Sequence, residues 1–339
     1  MIKVVLDAMG GDYAPVEPVK GAVEALEAND RIFVYLTGQE AVLKKELEKY
    51  TYPKDRLEIV DASEIIETGE PPAKAIQTKK DSSLVKGLKM VREGKADAFV
   101  SCGSTGAVLV GGQVIVRKVP GVERAPLAPL IPTEKGFSLL IDCGANVDAR
   151  SSHLVQFAIM GTIYMKHVIG IKNPTVGLVN IGAEEEKGNA LSKETFQLLK
   201  QTEGINFIGN VEARDIPAGK ADIIVTEAFT GNVILKLYEG LAGTLVKKIK
   251  QGLMSTLRSK IGALLIKPAL KKTMKSFDAS EYGGAPLLGL RGLVIKSHGS
   301  SDAREIKNSI LQCVKFTEQD LPGMISANLS TKKKEKTEE

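Results

Sequence analysis

The chain has 339 residues, 43% of them hydrophobic, with 33 glycines, 5% aromatics and no tryptophan. That balance suits small-residue turns between strands and helices and argues against an aromatic-rich β-sandwich. The net charge is a mild +5, and three scattered cysteines without a CxxC pair argue against a disulfide framework or a zinc cage and for a reducing cytoplasm.

From the first residue, short β-branched runs alternate with helical patterns. Residues 2–6, 31–36, 57–60, 96–101, 137–142, 175–180, 205–208, 221–226 and 293–296 read as strands, most followed by a Gly, Asn or Asp turn and a helix. The alternation predicts βαβ units, a mainly parallel sheet and helices on both faces. Asp7 interrupts the first apolar run, so no signal-peptide core forms. Residues 98–116 carry no charge and are long enough for a membrane span. Their four glycines and several polar residues instead predict a buried strand, a glycine turn and a helix.

Ligands of parallel α/β folds sit beyond the carboxyl ends of strands, so the loops there carry the candidate chemistry. The first, DAMGGD, sets Gly10 and Gly11 between Asp7 and Asp12; it reads as a binding loop or as a tight turn with Asp12 capping a helix. The second, SCGSTG, offers Ser101, Gly103, Ser104, Thr105 and Gly106 at a helix start, suited to an anion or to a plain turn. The third, DCGANVD, includes Asn146 and Asp148, residue types that tolerate left-handed turns. The fourth, NIGAEEEKGN, sets Lys187 beside Asn180, Gly182, Gly188 and Asn189. The fifth, TEAFTGN, brings Thr230, Gly231 and Asn232 to a helix start, where an amide and backbone donors could stabilise an oxyanion or Thr230 could cap. The sixth, SHGSSD, holds His298 among hydroxyls. There is no GxGxxG, GxSxG or HExxH, which leaves nicotinamide enzymes and serine hydrolases without support.

Residues 240–277 break the alternation. They contain no Asp or Glu but hold Lys247, Lys248, Lys250, Arg258 and Lys260 among nine cations. Leu253, Met254, Leu257, Ile261, Leu264 and Leu265 fall on one face of a predicted helix. This composition fits an interfacial helix on anionic lipid, a dock for an acidic protein, or a packing helix with solvated lysines. Phe277 is the segment's one aromatic, so nucleic-acid binding is not expected. The last ten residues, 330–339, read as a disordered charged tail behind a single domain of residues 1–329.

Several of these motifs, in this order, resemble the phosphate acyltransferase PlsX family: DAMGGD, GANVDA (144–149), NIG…KGN, FIGNVEARD (207–215), FTGNV (229–233), YGGAPLLGL (282–290) and KSHGSSD (296–302). The resemblance spans about residues 1–325. SCGSTG departs from the more usual SAGNTG, and TEAFTGN from TDGFTGN, which puts any specific role of that Asp in doubt at Glu227. The resemblance implies a three-layer α/β/α sandwich like those of isocitrate dehydrogenases and phosphotransacetylases. It implies a cytoplasmic homodimer, peripherally bound to the membrane, that converts acyl-acyl carrier protein (acyl-ACP) and inorganic phosphate to acyl phosphate and free ACP. The product would feed a membrane glycerol-3-phosphate acyltransferase in phospholipid synthesis. Lys187 and Asn232 match the family's proposed active-site pair, and no cofactor or metal is implied. A phosphotransacetylase using acyl-CoA and an inert membrane scaffold are the rival readings.

Overall fold

The computed structural model describes residues 1–276 and 279–335; Phe277 and tail residues 336–339 lie outside them. The strands are β1 (Ile2–Asp7), β2 (Ile32–Gly38), β3 (Leu57–Asp61), β4 (Ala98–Ser101), β5 (Leu130–Thr133), β6 (Gly136–Ile141), β7 (Thr175–Asn180), β8 (Asn206–Glu212), β9 (Ile223–Val225), β10 (Ala285–Pro286) and β11 (Leu293–Lys296). The helices are α1 (Val16–Ala28), α2 (Glu40–Leu47), α3 (Pro72–Thr78), α4 (Ser83–Arg92), α5 (Thr105–Gly111), α6 (Ser151–Tyr164), α7 (Ala190–Lys200), α8 (Ala228–Leu253), α9 (Leu257–Ser276), α10 (Ala303–Glu318) and α11 (Leu321–Glu335).

The strands form two sheets, of order β10-β11-β4-β1-β2-β3 and β5-β6-β9-β7-β8. Within each, every pairing is parallel except β10 with β11 and β5 with β6. The mainly parallel α/β architecture is the expected one. β5 and β10 were not predicted: Pro132 and Pro286 weaken the strand signal, and both strands are edges, where a missing N–H costs no ladder bond. The central strands are buried along their length, as β4, β9 and β11 show, because helices cover both faces.

One core runs through both sheets. It joins Val4 and Leu6 of β1, Val19 and Leu26 of α1, Ile306 and Phe316 of α10, and Phe157 and Tyr164 of α6. Tyr164 meets Phe316 edge to face, with ring centroids 5.5 Å apart, so α6 of the second half locks against α10 of the first. A second core lies under α4 and α5, around Phe99, Leu84 and Leu88. Residues 98–116 fold as β4, a turn, α5 and a short π-helical continuation, and no described helix is long and apolar enough to cross a membrane.

The region 240–277 is not one helix. α8 ends at Leu253 and α9 restarts at Leu257. Thr256 and Ser259 exchange bonds there: Ser259 N–H donates to Thr256 Oγ1 at 3.1 Å and Thr256 N–H to Ser259 Oγ at 3.0 Å, a reciprocal box that starts α9. The predicted apolar face is thereby split, with Leu253 closing one helix and Leu257, Ile261 and Leu264 exposed on the next. α11 carries helical backbone to Glu335, where a tail was expected from residue 330; the stretch STKKKE is compatible with a helix that α11 has already nucleated.

Candidate active site

In both sheets the chain reverses direction of winding. β1 lies between β2 and β4 in the first sheet, and β9 between β6 and β7 in the second. The loops leaving the carboxyl ends at these switch points are the six singled out in sequence. They assemble as two triads, one per sheet.

The first triad packs backbone on backbone. Asp12 N–H donates to Gly299 O at 2.7 Å, joining loops one and six. A side chain at Gly10 would put its Cβ 2.7 Å from Gly103 N, and one at Gly11, which has φ +102°, would lie 3.0 Å from Gly299 O. The glycines are there because three loops meet. Asp7 is buried, and desolvation raises its carboxyl above the usual range; its oxygens accept from Ser101 Oγ at 2.8 Å and Met9 N at 3.3 Å. Ser101 Oγ accepts in turn from Gly103 N at 3.0 Å. Ser104 caps α5 through Ala107 N, and Gly106 packs on the Pro72 ring. Asp12 does not cap α1, which opens at Pro15 with no side-chain cap. These residues hold loops rather than line a cavity.

The second triad is organised by Asp142. Its carboxylate accepts from Leu127 N (2.9 Å), Ala145 N (3.3 Å), and the backbone and side-chain amides of Asn146 (2.9 and 2.7 Å). Burial nonetheless pushes it up to about 6. Loop five lies directly on this loop: a Cβ at Gly231 would fall 1.9 Å from Asp142 O, an impossible approach. Asp148 is exposed. Loop four is clasped by Asn180, whose Nδ2 donates to Lys187 O at 3.0 Å and whose Oδ1 accepts from Ile181 N at 2.8 Å. Asn189 caps α7 by accepting from Ser192 N at 2.9 Å. A Cβ at Gly188 would meet Ser192 Oγ and Asn180 Oδ1, and one at Gly182 would meet Glu184, so both keep this loop tight. Lys187 itself is exposed, on the same carboxyl edge of the second sheet but outside the cavity wall.

The start of α8 differs from expectation. Glu227, not Thr230, is its N-cap: the carboxylate accepts from the N–H groups of Phe229 and Thr230 and from the Thr230 hydroxyl. The helix's free donors are therefore spent on a carboxylate, and the backbone there is not an oxyanion hole. What remains is the side chain of Asn232, one turn in, which makes no hydrogen bond among the described residues and faces a cavity.

That cavity, of about 860 Å³, opens between the two triads. Of the predicted site residues only Thr105, Asn232 and His298 line it. One wall is apolar, formed by Leu130, Ile131 and Pro132 of β5 with Leu235 and Ala242 of α8. The other is polar and carries Ser297, His298, Ser301, the carboxylates Glu239 and Glu305, and two lysines not assigned from the sequence. Lys236, one turn beyond Asn232, pairs with Glu239 at 2.7 Å; Glu239 lies 3.9 Å from His298 Nε2, and His298 Nδ1 lies 2.7 Å from Ser300 Oγ. The i, i+4 spacing from Asn232 is the signal that could have found Lys236. Lys296, at the end of β11, is buried.

The cavity thus joins the carboxyl edges of the two sheets, with an apolar wall facing a polar one. The fold matches the solved phosphotransacetylase from Streptococcus pyogenes (TM-score 0.61, 18% identity, 94% of each chain) and the EutD phosphotransacetylase from Staphylococcus aureus (TM-score 0.58, 17% identity, 94% of each chain). In sequence, the family model described as "Fatty acid synthesis protein" matches residues 2–324. The phosphate acyltransferase of Clostridium beijerinckii is 52% identical over 94% of this chain and 96% of its own, and that of Alkaliphilus oremlandii 50% identical over 97% and 98%. The chain belongs to the phosphate acyltransferase PlsX family and is a transferase.

Proposed function

We propose that the chain transfers a fatty acyl group from an ACP thioester to inorganic phosphate, releasing acyl phosphate and ACP thiol. The observation that carries the reading is the Asn232 amide, without a hydrogen-bond partner among the described residues and set where the apolar wall meets the polar one that carries Lys236 and Lys296. An acyl chain lies along β5 and α8 with its thioester carbonyl at Asn232. A phosphate oxygen attacks the carbonyl carbon, the C=O pair moves onto oxygen, and Asn232 Nδ2 donates to the oxyanion that forms. The intermediate collapses, the C–S bond breaks, and sulfur leaves with the electron pair as a thiolate that takes its proton from solvent. Phosphate is already partly dianionic near neutral pH, so orientation and charge stabilisation do more than a strong base would. Lys187, on the adjacent exposed loop, supplies positive charge to the incoming phosphate.

The same reading sets the protein in the cytoplasm as a homodimer at an anionic membrane surface. There its product passes to a membrane enzyme that acylates glycerol 3-phosphate. Support comes from the cations of α8 and α9 and from exposed Val233, Leu237, Leu241 and Leu245, spaced four apart along α8. A second reading, phosphotransacetylase action on acyl-CoA, is favoured by the fold neighbours. The deciding experiment incubates the protein with radiolabelled phosphate and either long-chain acyl-ACP or acyl-CoA and follows label into organic-extractable product. Label from acyl-ACP with release of thiol is expected. Label from acyl-CoA alone would move the assignment to the second reading, and label from neither would sink both.

A further inference from the structure

Lys296 ends β11 in register with Ser101 of β4, which is in register with Asp7 of β1. The three stand in one row at the carboxyl edge of the first sheet, at its switch point. Lys296 is only 7% exposed, yet it lines the cavity. Its Nζ donates to the Ser297 carbonyl and, at 3.4 Å, to that of Cys102. An ammonium has three donors, so one is left over.

No carboxylate pairs with this charge among the described residues. The Asp7 backbone is two strands away, roughly 10 Å at about 4.8 Å per strand; its oxygens accept from Ser101 and Met9, so it attracts Lys296 through space without pairing with it. Lys236 on the same cavity adds positive charge but is committed to Glu239. Burial, and in lesser measure Lys236, hold the Lys296 ammonium below the ordinary lysine range, and the charges of Asp7 and Asp12 offset this only in part. A buried cation with no carboxylate in contact and only through-space attraction from Asp7 and Asp12 is unfavourable, and an anion seated beside it relieves that cost. Carbonyl bonds alone would pin the loops equally well with a neutral donor, so the charge calls for a ligand.

We propose that Lys296 holds inorganic phosphate inside the cavity, donating its remaining N–H to a phosphate oxygen, while Asn232 of α8 faces the acyl carbonyl from the other half of the molecule. The assignment rests on the acyl-to-phosphate reading and adds a binding residue to it. Lys296 touches the attacking group, whereas Lys187 acts from outside the wall.

The test compares Lys296→Met, which keeps the apolar stem, with Lys296→Arg, which keeps the charge. Phosphate affinity is measured by calorimetry without any acyl donor, and KM for phosphate and for the donor by steady-state kinetics. Lys296→Met is expected to weaken phosphate binding and raise its KM at least tenfold, with donor KM unchanged and partial recovery in Lys296→Arg. An unchanged phosphate Kd would overturn the proposal. A rise in donor KM alone would overturn it too, by assigning Lys296 to the phosphodiester of the donor's prosthetic arm. Should the Met variant not fold, wild-type protein is treated with acetic anhydride with and without saturating phosphate and read by mass spectrometry. Phosphate should slow acetylation of Lys296 severalfold but not that of exposed Lys248; equal rates would refute the site. Because the calorimetry and the labelling use no donor, a wild type that binds phosphate at Lys296 yet makes no acyl phosphate sinks the function and leaves the site standing.

Discussion

The Glu227 carboxylate accepts the amide N–H of Thr230 on both oxygens, each at 3.1 Å, and so closes the first turn of α8. This bond fixes where Asn232 stands, five residues along, because a helix that frays at its start carries its second turn with it. Glu227, where this chain departs from the TDGFTGN pattern, is thus the cap of α8.

Glu227→Ala should therefore cost about 1 kcal/mol of stability, the usual worth of a cap, seen as a lower midpoint in thermal or urea unfolding. It should also lower kcat, since Asn232 is displaced, while leaving donor KM near wild type. Glu227→Asp should restore most of both. A Glu227→Ala variant with full stability would show that the cap is not what orders this turn.

Asn232→Ala removes the amide on the cavity wall that has no hydrogen-bond partner among the described residues. A single oxyanion donor is worth about 10²–10³ in kcat, and that loss is expected here with little change in either KM, because the bond strengthens only as negative charge develops. Asn232→Asp, nearly isosteric but an acceptor, should be no better than Ala. Steady-state kinetics with acyl-ACP and phosphate read both; an Asp variant of near-wild-type kcat would exclude the amide as donor.

Much of this architecture was legible in the sequence. The β-branched runs gave nine strands, and the turns after them gave all six loops. What could not be read is partnership. Nothing in Asp7 or Ser101 says that they bond each other, since that depends on β1 and β4 being neighbours although α1, β2 and β3 intervene. Likewise Asn146 and Asn180 look like ligands in sequence and serve as clasps in the fold. Lys296 lay in a quoted motif but read as a strand end, because its burial exists only once three loops close over it. The division into two sheets leaves no local mark, and the break after Leu253 rests on the paired Thr256 and Ser259, a short box easily lost in a lysine-rich helical pattern.

Asp142 supplies a pH test. Its carboxyl titrates at about 6 in the folded chain against 3.8 for an ordinary aspartate, so between these values the folded state binds more protons. Its contribution to stability is then full below 3.8 and is lost as pH rises through 6. At about 1.4 kcal/mol per pK unit, the loss is on the order of 3 kcal/mol. Asp142→Asn should be destabilised throughout, because one amide cannot accept from Leu127, Ala145 and Asn146 together. The gap between wild type and Asp142→Asn, from urea unfolding at pH 4.5 to 7, should narrow as pH rises. A widening gap would mean that the surrounding donors outweigh burial and favour the ionised form.

The paired helices offer the last test. Lys247, Lys248 and Lys250 are exposed near the end of α8, and Leu257, Ile261 and Leu264 are exposed on α9, so cationic and apolar surface come together where none of the other described residues covers them. Charge attraction to anionic lipid is worth about 1 kcal/mol per lysine near the surface, and the leucines add apolar burial. Reversing the three lysines to Glu should thus weaken binding to vesicles containing phosphatidylserine by at least tenfold in co-sedimentation. Catalysis with a soluble acyl-CoA surrogate, if the protein accepts one, should stay unchanged, since none of the three lines the cavity. Replacing Leu257 and Leu264 by Ser should weaken binding to the same vesicles with less salt dependence, because that loss is hydrophobic. If the charge reversal spares vesicle binding but raises KM for acyl-ACP, the lysines dock the acidic carrier instead. If it changes neither, they are solvated surface and the helices have another partner.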